Sequence, residues 1–199
     1  MVESQNKLFL DLPDAEVYYW PHFFTQKQSD IYLQELLSTI TWRQDKIKMF
    51  GKEILLPRLT GWYGDSGKTY QYSGIQNEPQ PWTPALLEIK QAVETTANAG
   101  FNSVLLNYYR HGQDSMGWHA DDEPELGINP VIASVSFGQE RRFDFRHRLD
   151  KALSKKSVYL KHGSLLLMQG ATQHFWQHQV PKTTQAATPR LNLTFRSIR

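Results

Sequence analysis

The chain has 199 residues, 22 Lys and Arg against 20 Asp and Glu, a formal net charge of +2, and 40% hydrophobic residues. That length and apolar share suit one domain with a sizeable core and exclude a disordered chain. There is no cysteine, which excludes disulfides, thiolate metal sites and a cysteine nucleophile, so any metal must sit on His, Asp or Glu.

No apolar run reaches the about 18 residues of a membrane-spanning helix. No basic start followed by an apolar stretch marks a secretory signal. Residues 1–24 read as an extended lead-in carrying Phe9, Tyr18, Tyr19, Trp20, Phe23 and Phe24. Thr25 is a candidate N-cap for a first helix, because its side-chain oxygen can accept from an early helical N–H. Leu33, Leu36, Leu37 and Ile40 then recur at the i, i+3, i+4, i+7 spacing of one helical face. Residues 41–80 are punctuated by Gly51, Pro57, Gly61, Gly64, Gly67 and Gly74, a pattern of hairpins and loops. Thr83-Pro84 opens a second helix with proline in its first turn. Leu86, Ile89 and Val93 give that helix an apolar face, and Asn98-Ala99-Gly100 ends it.

After Gly100 the pattern becomes β. Strands are expected at 103–109, 131–137, 142–147, 157–161, 164–169, 174–180 and 190–197. Many short strands separated by turn residues argue for an antiparallel sandwich or barrel, of which the jelly roll is a common form. The expected fold class is therefore mainly β with flanking helices (α+β). The chain reads as a single domain, 1–199, with an N-terminal helical and hairpin extension over 1–100 and a β core over 101–199.

Charge is local. Between Arg141 and Lys161 stand eight Lys and Arg (Arg141, Arg142, Arg146, Arg148, Lys151, Lys155, Lys156 and Lys161) against Asp144 and Asp150. Such a stretch is either a solvated basic loop or a face that neutralises phosphates. From His111 to Pro130 there are five acids, Asp114, Asp121, Asp122, Glu123 and Glu125, and no Lys or Arg. Carboxylates beside a polyanion site need another reason, such as holding a cation.

Within Trp118-His119-Ala120-Asp121 the two polar residues are two apart, so in an extended segment they project to one side. His119 and Asp121 can then reach one ion together. His174 and His178 are the candidates for a third ligand; in an extended strand both share a face with Trp176. Two His and one carboxylate on one face of a metal leave its other positions open, the pattern of non-haem iron(II) oxygenases. The same set can hold catalytic zinc, but the helical H-E-x-x-H motif is absent. Taken alone, His-x-Asp is a common pair.

Residues 189–196 alternate strictly. Leu191, Leu193 and Phe195 line one face; Arg190, Asn192, Thr194 and Arg196 line the other. The polar face either meets water, as in an ordinary half-buried strand, or points into a ligand cavity while the apolar face packs on helices. Arginine grips carboxylates through two parallel hydrogen bonds, so two inward arginines suggest a dicarboxylate ligand. Asn107 and Tyr109, also two apart, offer uncharged donors to the same ligand; the other reading is a core tyrosine with a satisfied hydroxyl.

Together these pieces resemble the AlkB family of iron(II)/2-oxoglutarate dioxygenases. The residues that carry the likeness are Asn107-Tyr108-Tyr109, His119-Ala120-Asp121-Asp122-Glu123, Ile132 to Gly138, His162 to Met168, Trp176-Gln177-His178 and Pro189 to Arg196, in the family's order. The resemblance implies a double-stranded β-helix, a jelly-roll relative. It implies iron(II) on His119, Asp121 and His178, with His178 preferred to His174 because the family's histidine lies twelve positions before the first arginine. It implies 2-oxoglutarate on Asn107, Tyr109, Arg190 and Arg196, with Asn192 and Thr194 as neighbours, and O2 as the second cosubstrate.

The N-terminal half resembles the branch that repairs duplex DNA. Pro57-Arg58, Tyr63-Gly64-Asp65 and Thr69 to Gly74 are similar to its base-recognition lid, with Tyr70, Tyr72 and Ser73 lining the damaged-base pocket. Phe50-Gly51-Lys52 is similar to a hairpin that inserts an aromatic wedge. Asp122 and Glu123 would stand beside a cationic base. The implied activity is oxidative demethylation of N-alkylated bases such as 1-methyladenine and 3-methylcytosine, releasing succinate, carbon dioxide and formaldehyde. The implied partner is alkylated DNA, or RNA, with no membrane, and the expected protein is a monomer of the cytoplasm, or of the nucleus in a eukaryote. A demethylase or hydroxylase of RNA or tRNA is the alternative. A silent nucleic-acid-binding barrel conflicts with the intact metal and arginine set, and a zinc hydrolase leaves Arg190 and Arg196 unexplained.

Overall fold

A computed structural model describes residues 7–49, 52–67, 70–72, 75–185 and 188–199. Its strands are β1 (Leu8–Phe9), β2 (Glu16–Trp20), β3 (Lys46–Met49), β4 (Lys52–Leu55), β5 (Leu59–Gly64), β6 (Tyr70–Tyr72), β7 (Ile75–Asn77), β8 (Ser103–Tyr109), β9 (Met116–His119), β10 (Ile132–Gly138), β11 (Arg141–His147), β12 (Lys156–Leu160), β13 (Ser164–Gln169), β14 (Trp176–Val180) and β15 (Arg190–Arg196). The helices are α1 (Gln26–Thr39), α2 (Pro84–Ala97) and the single turn α3 (Thr172–Phe175). No helix among the described residues is long and apolar enough to cross a membrane.

The strands build two main antiparallel sheets. One has the order β1-β2-β13-β10-β15-β8-β5 and the other β12-β11-β14-β9, with β3-β4 and β6-β7 as separate hairpins. This is the mainly β, helix-flanked class that the alternating segments predict, in a form consistent with a jelly roll.

Local chemistry sets both long helices where expected. Thr25 accepts from the Gln28 N–H and Gln28 reaches back, closing a capping box on α1. Thr83 caps α2, proline occupies its first turn, and Asn98 ends it in the left-handed conformation at φ 49°. Leu36 of α1, Ile40 at its C-terminal cap, and Leu86, Ile89 and Val93 of α2 pack on the outer face of the seven-stranded sheet, against Val135, Leu193, Phe195 and neighbours. A second cluster fills the space between the sheets, with Tyr19, Leu166 and Met168 on one side and Phe143, Phe145 and Trp176 on the other.

The N-terminal half contributes more sheet than its sequence pattern suggests. The lead-in supplies β2, which pairs with β13 with Trp20 opposite Leu165. The segment read as hairpins and loops supplies β5, which pairs with β8 across six residue pairs. Its glycines mislead as turn signals. A Cβ on Gly61 would lie 2.9 Å from Ile40 Cγ2, and one on Gly64 2.7 Å from the Asn102 carbonyl oxygen. Both glycines permit close approach inside a strand rather than breaking it.

One strand begins later than expected. Residues 172–175 form the α3 turn, and β14 starts at Trp176. His174 therefore leaves the strand and stands exposed, while His178 is buried.

Candidate metal and cosubstrate site

β15 runs in the interior of the larger sheet, between β10 and β8, and all seven of its residues are buried. Leu191, Leu193 and Phe195 join the cluster under the helices. Its polar residues thus lie inside the protein, so the ordinary half-buried strand with one wet face does not apply. The space between the sheets is where they meet the histidines.

His119 ends β9 and His178 sits in the middle of β14, and the two are cross-strand partners. The register shifts between this pair and Val180–Met116, an irregularity of the kind that re-aims side chains near functional sites. The two imidazole centroids are 4.2 Å apart. Asp121 lies beyond the strand and is 2% exposed. Its Oδ2 is 3.7 Å from His178 Nε2, and its Oδ1 accepts from Arg196 Nη2. The three candidate ligand atoms lie within 4.8 Å of one another. His119 Nδ1 meets the Gly117 carbonyl at 2.9 Å. A carbonyl only accepts, so Nδ1 carries a hydrogen and Nε2 is the ring nitrogen left to face a metal.

The electrostatics favour a ligand-ready state. Burial, then the neighbouring His119, push His178 down to about 3, against the pull of Asp121. His178 is therefore neutral across the ordinary pH range. Burial pushes Asp121 up, but Arg196, His178 and His119 outweigh it and hold the carboxyl below its ordinary value. In the unfolded chain His178 titrates near 6.5, in the fold near 3. Between those values the unfolded chain holds more protons, so stability rises with pH there and is lost as pH falls from 6.5. Asp121 adds to the loss below 3.8, its ordinary value. The metal-free protein is expected to melt at a lower temperature at pH 5 than at pH 7. The slope should be shallower in His178→Ala, and equal slopes in calorimetric scans would contradict this assignment.

The arginine end has a different character. Arg190 is cross-strand from Tyr109, 1% exposed, and donates from Nη2 to Ser136 Oγ at 3.0 Å. The Tyr109 ring centroid lies 5.0 Å from the guanidinium carbon. Arg190 Nε and Nη1 are buried and meet no hydrogen-bond partner among the described residues. Burial pushes Arg190 down to about 10, so it stays cationic at neutral pH. A buried cation with donors left over is costly, and an anionic oxygen group such as a carboxylate can accept from them.

The other expected cosubstrate residues are largely engaged by the wall itself. Asn107 Oδ1 accepts from Arg58 Nε at 2.7 Å. Asn192 Nδ2 donates to Ser134 Oγ and the Val135 carbonyl, and Thr194 Oγ1 donates to Asn192 Oδ1. Tyr109 directs its hydroxyl toward Met116 Sδ, 3.9 Å away. Arg196 is turned to Asp121, which links the arginine strand to the histidine pair.

Among the expected substrate residues, Asp122 is exposed and pairs with Arg148 at 2.6 Å. Glu123 is half-buried just before a 3-10 turn at Pro124–Leu126. Phe50 and Ser73 lie outside the described residues; Tyr70 and Tyr72 belong to β6, with only their backbone described. The basic stretch is mostly absorbed on the arginine side. Arg141 is buried and caps the Asp114 and Pro181 carbonyls; Arg142 pairs with Asp144; Arg146 bonds to Gln177. Lys151, Lys155, Lys156 and Lys161 are exposed.

The sequence reading missed three contributors: Ser136, Arg58 as the partner of Asn107, and Gln173, which accepts from the Asp121 N–H. Ser134-Val135-Ser136 shows the same alternation as β15 and was the available signal.

Residues 16–196 match the family described as the 2OG-Fe(II) oxygenase superfamily. The chain belongs to that superfamily. It is 42% identical over 195 residues to the mouse alpha-ketoglutarate-dependent dioxygenase alkB homolog 3, covering 92% of this chain and 66% of that protein. It is 40% identical over 184 residues to the human DNA oxidative demethylase ALKBH2, covering 88% of this chain and 70% of that protein. Within the superfamily it is thus an AlkB homologue. The chain spans just under two thirds of the alkB homolog 3 relatives it matches. A solved structure of OsALKBH1 shares the fold, with a TM-score of 0.66 at 17% identity over 96% of this chain and 99% of that one.

The superfamily takes iron(II), 2-oxoglutarate and O2, and the residues present fit them. Two imidazoles and one carboxylate are the donor set of non-haem iron(II) sites, and the unsatisfied N–H groups of Arg190 suit a carboxylate.

Proposed function

We propose that this AlkB homologue oxidatively demethylates N-alkylated nucleobases, such as 1-methyladenine and 3-methylcytosine, in DNA. The observation that carries the reading is the convergence of His119, Asp121 and His178 in a fold whose arginine strand presents Arg190 with buried donors to spare. Iron(II) held by His119, Asp121 and His178, with 2-oxoglutarate and O2, would supply the oxidant that hydroxylates an N-methyl group, yielding succinate, carbon dioxide and formaldehyde in balance.

The chain's own residues do the rest. His119 offers Nε2, with its tautomer fixed through Gly117. His178 stays unprotonated because it is buried. Arg196 occupies one carboxylate oxygen of Asp121 and leaves Oδ2 toward His178. Arg190 grips the cosubstrate carboxylate, with Tyr109 against its guanidinium. Asn107, Asn192 and Thr194 complete that wall. An N-alkylated base of this kind is cationic and pairs weakly, which lowers the cost of flipping it out. Asp122 and Glu123 follow the metal carboxylate directly in the chain and supply negative charge for that base. Tyr70, Tyr72 and Ser73 serve as the aromatic and polar lining of its pocket, and Phe50 as the wedge. In this division residues 101–199 carry the metal and cosubstrate side chains and residues 1–100 carry the lid.

The test loads the protein with iron(II) anaerobically, then adds O2, 2-oxoglutarate and an oligonucleotide carrying 1-methyladenine. Formaldehyde and succinate are expected in comparable amounts, with the base restored. Succinate without base repair on DNA, but with repair on the same sequence in RNA, would move the substrate to RNA. Succinate with neither would remove nucleic acid from the proposal.

A further inference from the structure

His119 and His178 are fixed by the β-ladder that pairs them, but Asp121 is not. It sits in the irregular stretch 120–123, after β9 has ended and before the turn at Pro124–Leu126. Arg196 holds its carboxylate from one side. On the backbone side the Asp121 N–H donates to Gln173 Oε1 at 2.9 Å. A peptide N–H only donates, so the Gln173 atom facing it is the oxygen.

Gln173 is fully buried, and its Nε2 meets only Met168 Sδ, at 3.5 Å, among the described residues. A thioether is a weak acceptor. The strong bond of this amide is the one to Asp121, and an amide is a costly way to fill a core without such a bond. The surrounding contacts hold the turn still. Thr172 Oγ1 accepts from the Glu16 N–H and donates to the Gln169 carbonyl. The Gln173 carbonyl accepts from Arg148 Nη1 at 3.0 Å, and the same Nη1 meets Asp122 Oδ2. The α3 turn leads directly into β14, the strand that carries His178.

From this geometry we infer that Gln173, braced by Arg148, is a positioning residue that sets Asp121 in register with His178. The inference rests on Asp121 being a metal ligand. Partners that orient a ligand commonly change metal affinity by about 10–100-fold when lost.

The test is a cobalt(II) titration of the metal-free protein, followed by its visible d–d absorption and checked by thermal melting. Gln173→Met keeps the length and burial but replaces the amide oxygen with a thioether, a weak acceptor. It is expected to raise the cobalt dissociation constant about 10–100-fold and to alter the absorption bands at saturation. Arg148→Met, on a side chain that is partly exposed, should weaken cobalt binding less. His174→Ala, on the same turn, should match the wild type. Wild-type affinity and spectrum in a folded Gln173→Met overturn the inference; if that variant does not fold, wild-type affinity in Arg148→Met overturns it. Cobalt binding needs no nucleic acid, so failure here is separable from failure of the demethylase reading.

Discussion

Replacing His178 with alanine is expected to abolish formaldehyde release, while His174→Ala leaves it at the wild-type rate. The two histidines are four residues apart in sequence and differ completely in setting. His178 is buried on β14, cross-strand from His119 and 3.7 Å from Asp121 Oδ2. His174 is exposed on the α3 turn. Removing His178 deletes one of three metal ligands, so the loss should exceed the about 10–100-fold that follows from losing a mere partner of a ligand. Metal binding should fall with activity, read by cobalt(II) titration on the same variants. His178 also stacks on Phe143 at 5.1 Å, so melting curves must show that the variant still folds. Loss of activity in His174→Ala with retention in His178→Ala would overturn the ligand set.

The contrast between these histidines shows what the sequence could and could not reveal. Period-two alternation made β15 legible, because sheet residues two apart share a face whatever lies opposite them, and turn residues on either side marked β8 and β10 as short strands. Capping chemistry made both long helices legible for a similarly local reason. The start of β14 was not legible: Thr172 to Phe175 form a helical turn through contacts with Glu16, Asp121 and Arg148, all distant in sequence. β5 was hidden by its own glycines, and β2 reads in the sequence only as part of an extended lead-in. Gly61 and Gly64 look like breaks, yet they answer to Ile40 and to the Asn102 backbone. The direction of the polar face of β15 needed the tertiary fold, since a wet face and an inward face have the same sequence. Alternation singled out Arg190 and Arg196, and family resemblance chose His178 over His174. Neither revealed that Arg196 turns to Asp121 while Arg190 keeps donors unsatisfied.

That difference between the two arginines leads to the second large effect. Arg190→Met should raise the dissociation constant for 2-oxoglutarate by about 100-fold or more, since each hydrogen bond to a charged group contributes about 1.5–3 kcal/mol and the fork can make two. Arg190→Lys should lie between, because it restores the charge without the paired donors. The effect on the ligand-free fold should have the opposite sign. Arg190 is buried with two nitrogens unsatisfied and one bond to Ser136, so an apolar side chain of similar length removes an uncompensated charge. The melting temperature of the metal-free, cosubstrate-free Arg190→Met protein is therefore expected to equal or exceed that of the wild type. Cobalt affinity should stay the same, since the bonds of Arg190 run to Ser136 and its ring contact to Tyr109, not to the triad. Calorimetric titration of 2-oxoglutarate into the cobalt-loaded proteins measures the first effect, and thermal melting without ligands the second. A folded Arg190→Met that binds 2-oxoglutarate as tightly as the wild type would mean that the unsatisfied donors serve something other than the cosubstrate. A strongly destabilised one would mean that the buried guanidinium is already compensated within the protein and does not wait for a ligand.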